Sequence, residues 1–251
     1  KMTPHQLIFH KEGIRIITKN GDSSKEDRYI LQSNSLEMKI SEVKSFIKDA
    51  SASSFLHAKD FTCYYDVNQY TLIPSSVYDA ALIEKYFELN FGKIHDECSL
   101  AAQSLLHIGI TSIHEIATWA SQFCENIFPE QALNPLHIQY LKQVETFQND
   151  AIGGALCIGD QHFNLQLFQH GKLLFSQEIS YQNEDDIVYY TLGAFKKLPI
   201  DTTKGNISVY PVLQDLDPTR VVETINKIKD LNDYSFVIKS FDTYQNDLLC
   251  V

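Results

Sequence analysis

The sequence predicts a mixed α/β fold (mixed sheets) built as two lobes, each laid out as strand, strand, strand, helix, strand, helix. Three observations carry this reading. Short runs rich in β-branched and aromatic residues come in threes: Leu7-Ile8-Phe9-His10, Ile14-Arg15-Ile16-Ile17 and Tyr29-Ile30-Leu31 near the start, then Ala155-Leu156-Cys157-Ile158, Phe163-Asn164-Leu165-Gln166-Leu167 and Leu173-Leu174-Phe175. Each trio is followed by apolar residues at helical spacing. Between the copies, Asn149 to Gly154 is polar and then Gly153-Gly154, which sets lobes at 1–150 and 151–251.

In the first lobe, Lys11-Glu12-Gly13 joins two strands, with Gly13 able to supply the positive φ that short hairpins need. Asn20 to Ser24 reads as a polar turn, and the third strand is expected from Arg28 to about Ser33. Leu36, Ile40, Val43 and Ile47 then share one helical face, and Ser51 to Ser54 ends that helix. Cys63 to Val67 and Tyr70 to Ile73 are strands around Asn68-Gln69, with Pro74 as a stop because proline cannot donate to a ladder. Tyr78, Leu82, Tyr86 and Leu89 predict another helix face, and Leu100 to Ile110 a long strand. Ser112-Ile113-His114-Glu115 matches a capping box, opening a helix with Ile113, Ile116, Ala120, Phe123 and Ile127 inward. Asn134-Pro135 marks a further start, as cap and first helical residue, with Leu141, Val144 and Phe147 continuing it.

The second lobe is clearer. Gln169-His170-Gly171-Lys172 turns its second strand into its third. Asn183 caps a helix whose first turn, Glu184-Asp185-Asp186, complements the helix dipole and whose stripe is Val188, Leu192 and Phe195, ending at Leu198-Pro199. Ile207 to Val212 is the fourth strand. Asp217 or Thr219 begins a helix with Val221, Val222, Ile225 and Ile228 inward, and Phe236-Val237-Ile238 is a late strand.

Composition narrows the function classes. The 251 residues are 44% hydrophobic and 21% charged, ordinary for a globular protein. The net charge of −11 is spread evenly, −6 from residues 1–150 (13 basic, 19 acidic) and −5 from 151–251 (8 basic, 13 acidic). Neither half offers the basic stripe that nucleic acid or an anionic membrane surface requires. Five cysteines without a C-x-x-C pair fit reduced thiols in a cytoplasmic protein. No apolar run is long enough for a membrane span, and the N-terminal residues lack a secretory apolar core.

A duplicated βββαβα order is that of the actin-like ATPase, ribonuclease-H-like folds, which hold nucleotide between two lobes on glycine-rich turns. Phosphate turns need free N–H groups and little bulk. The corresponding turns are His10-Lys11-Glu12-Gly13 and Ile158-Gly159-Asp160-Gln161-His162, each poor in glycine. Lys11, Glu12, Gly13, Gly159, Asp160 and Gln161 are therefore candidates for a vestigial cleft, against the plainer reading of Gly159-Asp160 as a tight turn. The turn expected to pack on adenine is Val212-Leu213-Gln214-Asp215, whose leucine and glutamine would crowd a flat base. Glu184-Asp185-Asp186 could be named a metal or acid–base cluster, but its place at a helix start explains it better. His114-Glu115 lacks the second histidine of a zinc-protease helix, and no nucleophile elbow, P-loop or G-x-G-x-x-G occurs. His107 and His137 sit on apolar segments and are expected to be packed or hydrogen-bonded rather than ligating. The 13 tyrosines suit either an interface or an ordinary core.

Two stretches carry a resemblance. One is Tyr70-Thr71-Leu72-Ile73-Pro74-Ser75-Ser76-Val77-Tyr78-Asp79, followed by Glu84-Lys85-Tyr86-Phe87-Glu88-Leu89-Asn90. The other is Gly171-Lys172-Leu173-Leu174-Phe175, followed by Glu184-Asp185-Asp186-Ile187-Val188-Tyr189-Tyr190. Together they resemble the uncharacterised bacterial, Bacteroides-type family named for domain of unknown function 3822. The resemblance implies an actin-like ATPase fold and supplies no catalytic residues. A more distant likeness, to actin-like scaffolds of pilus assembly and cell division, rests on strand order.

The function expected is a non-catalytic protein-interaction or scaffold module on a degenerate actin-like fold, with no catalytic residues, no metal and no cofactor, and with a protein partner or self-association. The alternative is a nucleotide-binding ATPase or kinase-like enzyme with atypical loops, holding ATP–Mg through Gly159 and Asp160.

Overall fold

The computed structural model describes residues 5–20, 23–49, 61–142, 152–159, 161–170, 172–198, 206–211, 218–231 and 235–238. Two compact units emerge, Lys1–Ile138 and Gln139–Val251. Each has its own five-stranded sheet and its own apolar core.

The first unit opens with β1 (His5–His10), β2 (Gly13–Asn20), β3 (Ser23–Ile30), α1 (Leu36–Asp49) and β4 (Phe61–Tyr65). β1 pairs antiparallel with β2 and parallel with β4. An excursion follows: β5 (Tyr70–Pro74), two 3-10 turns, α2 (Ile83–Phe91), β6 (Cys98–Leu105), a third 3-10 turn (Leu106–Ile108) and β7 (Ile110–Ala117). These strands form a separate three-stranded sheet in the order β5-β7-β6. The chain then returns through α3 (Thr118–Ile127), β8 (Leu133–Pro135) and α4 (Leu136–Lys142), the last running on past the end of this unit at Ile138. The main sheet is ordered β3-β2-β1-β4-β8. Its core packs Leu7, Phe9, Ile14 and Ile16 against Val43, Ile47, Trp119 and Phe123, with Phe9 tilted against both aromatics at 5.9 and 5.6 Å. Burying each such side chain contributes about 1.5–3 kcal/mol.

The second unit runs β9 (Gly153–Ile158), β10 (His162–Gln169), β11 (Lys172–Ser180), α5 (Glu184–Lys197), β12 (Asn206–Pro211), α6 (Pro218–Leu231) and β13 (Ser235–Ile238). Its sheet is ordered β11-β10-β9-β12-β13, element for element the order of the first. β9 is buried along its whole length, as expected of a strand paired on both sides and covered on both faces. The duplicated order is therefore present, and in the first copy the excursion from β5 to β7 separates β4 from its following helix.

Several expectations fail for physical reasons. Ser112-Ile113-His114-Glu115 caps no helix: it lies in β7, paired with β5 on one side and β6 on the other, and the helix begins at Thr118. Sheet pairing on both sides outweighs a local capping motif. The strand predicted over Leu100 to Ile110 breaks at Leu106–Ile108, where Gly109 takes a left-handed φ of 68°. In α2 the buried residue is Phe87, while Leu89 is 83% exposed. The predicted face misses because two 3-10 turns, Ser75–Val77 and Ala80–Leu82, precede a helix that starts only at Ile83. Asn134 and Pro135 belong to β8, where the Asn134 amide donates to the Cys63 carbonyl at 3.3 Å. β3 starts at Ser23 and ends at Ile30, because it pairs along the full length of β2. His107 is exposed rather than packed.

Other expectations hold. Val43 and Ile47 are buried in α1, and Ile225 and Ile228 in α6, although Val222 is exposed. Asn183 caps α5 by accepting from the Asp185 and Asp186 N–H groups. His170 takes a left-handed φ of 49° in the β10–β11 turn. Cys63, Cys98, Cys124 and Cys157 are free thiols. The turn at Gly21-Asp22, the helix end at 51–54, the continuation at Val144 and Phe147, Asp160, Gly171, Pro199, Leu213-Gln214, Asp217 and Cys250 lie outside the described residues.

Candidate functional site

Ligands of open α/β sheets bind beyond the carboxyl ends of the parallel strands. In the first unit β1, β4 and β8 run parallel, so the Lys11-Glu12 turn and Asp66 share that edge. The turn is tied down from two sides. The Trp119 indole N–H donates to the Lys11 carbonyl at 3.1 Å, and the Leu31 N–H donates to the Glu12 carbonyl at 2.8 Å. Gly13 does not adopt positive φ. Its lack of a side chain is needed instead for close approach, since a Cβ there would lie 2.0 Å from the Tyr29 carbonyl oxygen.

Three cations near this turn, Arg15, Arg28 and Lys39, are paired within the protein. Arg15 donates to Asp66 at 3.1 Å and Lys39 to Glu97 at 2.7 Å, both from side chains nearly removed from solvent. Arg28 pairs with Glu26 at 2.9 Å. The Lys39 hydrogen bond and then its charge hold the Glu97 carboxyl below the usual range, with a smaller pull from Lys11. Burial holds the His10 imidazole below its ordinary value, partly opposed by Asp66. Glu97 also ties this edge to α3, because the Thr118 N–H donates to its carbonyl at 2.9 Å. A phosphate site needs cations and N–H groups free to meet the anion; Arg15, Arg28 and Lys39 already have carboxylates.

The second unit repeats the turn at residue level. His10 pairs with Gly13, which pairs with Ile30. Correspondingly, the Gly159 N–H donates to the His162 carbonyl at 2.9 Å, and His162 pairs with Ser180. The Leu31 bond to Glu12 has its counterpart in the Tyr181 N–H donating to the Gln161 carbonyl at 2.9 Å. By this register Glu12 corresponds to Gln161, Gly13 to His162, and Lys11 to Asp160, the last outside the described residues. The Gly159 carbonyl accepts from the Tyr181 hydroxyl, so both backbone groups of this glycine are occupied. The nearby α5 N-terminus is filled by its own side chains: Asn183 and Asp186 form a reciprocal capping box, and Asp185 pairs with Lys227. Glu184-Asp185-Asp186 is thus a helix start.

A second polar group lies between β5, β7 and α4. The Ser112 hydroxyl sits 2.7 Å from His137 Nε2. His137 stacks on Tyr70 at 4.2 Å and meets His114 edge-on at 5.1 Å. Burial pushes His114 down to about 4 and His137 well below its ordinary value, so both rings are neutral. A serine beside an imidazole has the spacing of a nucleophile and base, but catalysis needs access and a group orienting the base. Ser112 is fully buried and His137 Nδ1 has no partner among the described residues. This cluster is structural. Sequence reasoning anticipated His137 as hydrogen-bonded but missed Ser112, Trp119 and Tyr181, whose partners lie 25, 108 and 22 residues away.

Among the described residues no helix is long and apolar enough to cross a membrane, and no group of three or more His, Cys, Asp or Glu residues is placed to hold a metal ion.

Solved structures share this architecture. A Bacteroides thetaiotaomicron VPI-5482 protein, described as having an actin-like ATPase fold and unknown function, is 15% identical with a TM-score of 0.76, over 99% of this chain and 96% of that one. A structure described as the PilM–PilN type IV pilus biogenesis complex gives 10% identity and a TM-score of 0.51, over 99% and 94%. A search of curated proteins finds no match. The family model described as "Protein of unknown function (DUF3822)" matches residues 22–218, so this chain, with its actin-like ATPase fold, belongs to that family.

Proposed function

We propose that this protein is a non-catalytic interaction module on an actin-like fold, acting in the cytoplasm on a protein partner or on itself and using neither nucleotide nor metal. Under this reading the two ribonuclease-H-like lobes are 1–150 and 151–251, and Lys11-Glu12-Gly13 and Gly159-Asp160-Gln161 are remnants of phosphate turns. One observation supports it: the backbone at both turns is held by its own unit, the Lys11 carbonyl by Trp119, the Gly159 carbonyl by Tyr181 and the Gly159 N–H by the His162 carbonyl. A phosphate taken up on the Gly159 N–H would have to break its bond to the His162 carbonyl and approach the acidic start of α5. The likeness to a chain in a structure described as a PilM–PilN complex supports a fold compatible with partner binding.

The test is calorimetric titration of the full chain with ATP–Mg. No saturable binding is expected at micromolar nucleotide. A micromolar dissociation constant would overturn the reading and return Gly159 and Asp160 to the role of phosphate contacts.

A further inference from the structure

A strand at the edge of a sheet exposes unpaired N–H and C=O groups, and proteins guard such edges with charge, proline, bulges or brevity. The three sheets have six edges among the described residues. β3 carries Lys25, Glu26, Asp27 and Arg28 in succession. β8 and β13 have only three and four residues. β5 ends in Pro74, and β11 carries Lys172 and Glu178 and a register shift against β10 that leaves Leu174 without an opposite residue. β6 alone has no guard. It is eight residues long, Cys98-Ser99-Leu100-Ala101-Ala102-Gln103-Ser104-Leu105, with no charge and no proline. Its register with β7 is continuous from Cys98 opposite Ala117 to Leu105 opposite Ile110, without a bulge.

We propose that β6 is a self-association edge, pairing antiparallel with β6 of a second copy about a two-fold axis. This deepens the interaction-module reading and rests on it. The strand is self-complementary in size. A two-fold axis at Ala102 sets Ala101 opposite Gln103, Leu100 opposite Ser104 and Ser99 opposite Leu105 of the other copy, a small side chain against a larger one each time. Such opposed pairs are the unit of stabilisation between strands. The same axis brings Leu106, 83% exposed directly after the strand, opposite Cys98 of the other copy. No like charges meet along the strand, which matters for a chain of net charge −11. The join would merge two β5-β7-β6 sheets into one six-stranded sheet. An eight-residue strand pair falls short of the ~1,200 Å² of a stable interface, so the dimer is weak and reversible.

The test uses the full chain without nucleotide, so its outcome is independent of the ATP–Mg titration. Sedimentation velocity from micromolar to several hundred micromolar protein should show a monomer–dimer equilibrium. Hydrogen exchange over the same range should show protection rising with concentration in the 98–105 segment. Ala102 is exposed, and Ala102→Lys sets two ammonium groups against each other at the axis. It should weaken dimerisation at least tenfold while the Trp119 emission and melting temperature stay unchanged. If the variant misfolds, the exchange result on the unaltered chain decides. A chain that stays monomeric throughout overturns the proposal and leaves the edge for a foreign strand. A dimer that leaves β6 amides unprotected also overturns it, by placing the contact elsewhere.

Discussion

Acidification should destabilise the first unit well before its carboxylates titrate. His114 is 1% exposed on β7 and faces His137, with no partner for its Nδ1 among the described residues. Its pKa falls from 6.5 to about 4 through burial. A base with a depressed native pKa leaves the unfolded chain as the stronger proton binder, so stability is present above the unfolded value and is lost as pH falls below it. Moving from pH 7 to pH 5 should therefore cost about 2 kcal/mol from His114 alone. His137 and His10, also held down by burial, add losses of the same sign. The sole tryptophan, Trp119, is buried in the core of this unit and reports its unfolding. With a urea m-value of about 2 kcal/mol/M, the fluorescence midpoint should drop by about 1 M or more between pH 7 and pH 5. His114→Asn should flatten that dependence. A midpoint unchanged down to pH 5, with loss only below about pH 4.5 where carboxylates titrate, would refute the argument that these imidazoles are buried and neutral.

Two further perturbations test the local arguments. Gly13→Ala places a methyl 2.0 Å from the Tyr29 carbonyl oxygen, in a ladder that cannot shift without breaking the Gly13 to Ile30 pair. It should lower the urea stability of the first unit by about 3 kcal/mol, and a loss below about 0.5 kcal/mol would show that the strands can separate freely. Asn183→Ala removes the acceptor for the Asp185 and Asp186 N–H groups and should cost about 1 kcal/mol, seen as faster amide exchange in the first turn of α5 and no change in Trp119 emission.

The sequence reveals those parts of the fold whose signals are local. The paired trios of strands, the α1 face and the Asn183 cap all rest on residues within a few positions of each other. The errors gather in the excursion from β5 to β7. There the deciding interactions are non-local: β7 draws Ser112 and Glu115 into a sheet between β5 and β6, and Glu115 takes the His95 backbone N–H at 3.0 Å from outside the strand. A pattern that satisfies helix capping in isolation has no means of announcing this. The turns show the same divide. Their poverty in glycine is visible in the chain, but the groups that close them, Trp119 and Tyr181, reach them only through the folded backbone.

The correspondence between the two turns bears on what their glycines are for. Gly13 and His162 occupy the same place in the duplicated ladder, and only the first is glycine. If ligand approach had demanded bare backbone there, both copies would face the same demand. Instead the demand at Gly13 comes from the Tyr29 carbonyl within the same sheet. Gly159 lies one place before its turn, at the position of His10, and its carbonyl is spent on Tyr181. Glycine in these turns therefore follows the packing of each unit, and this edge holds the strands to their own helices and loops. Among the described residues, the unguarded β6 edge of the excursion sheet is where the proposed partner strand would add.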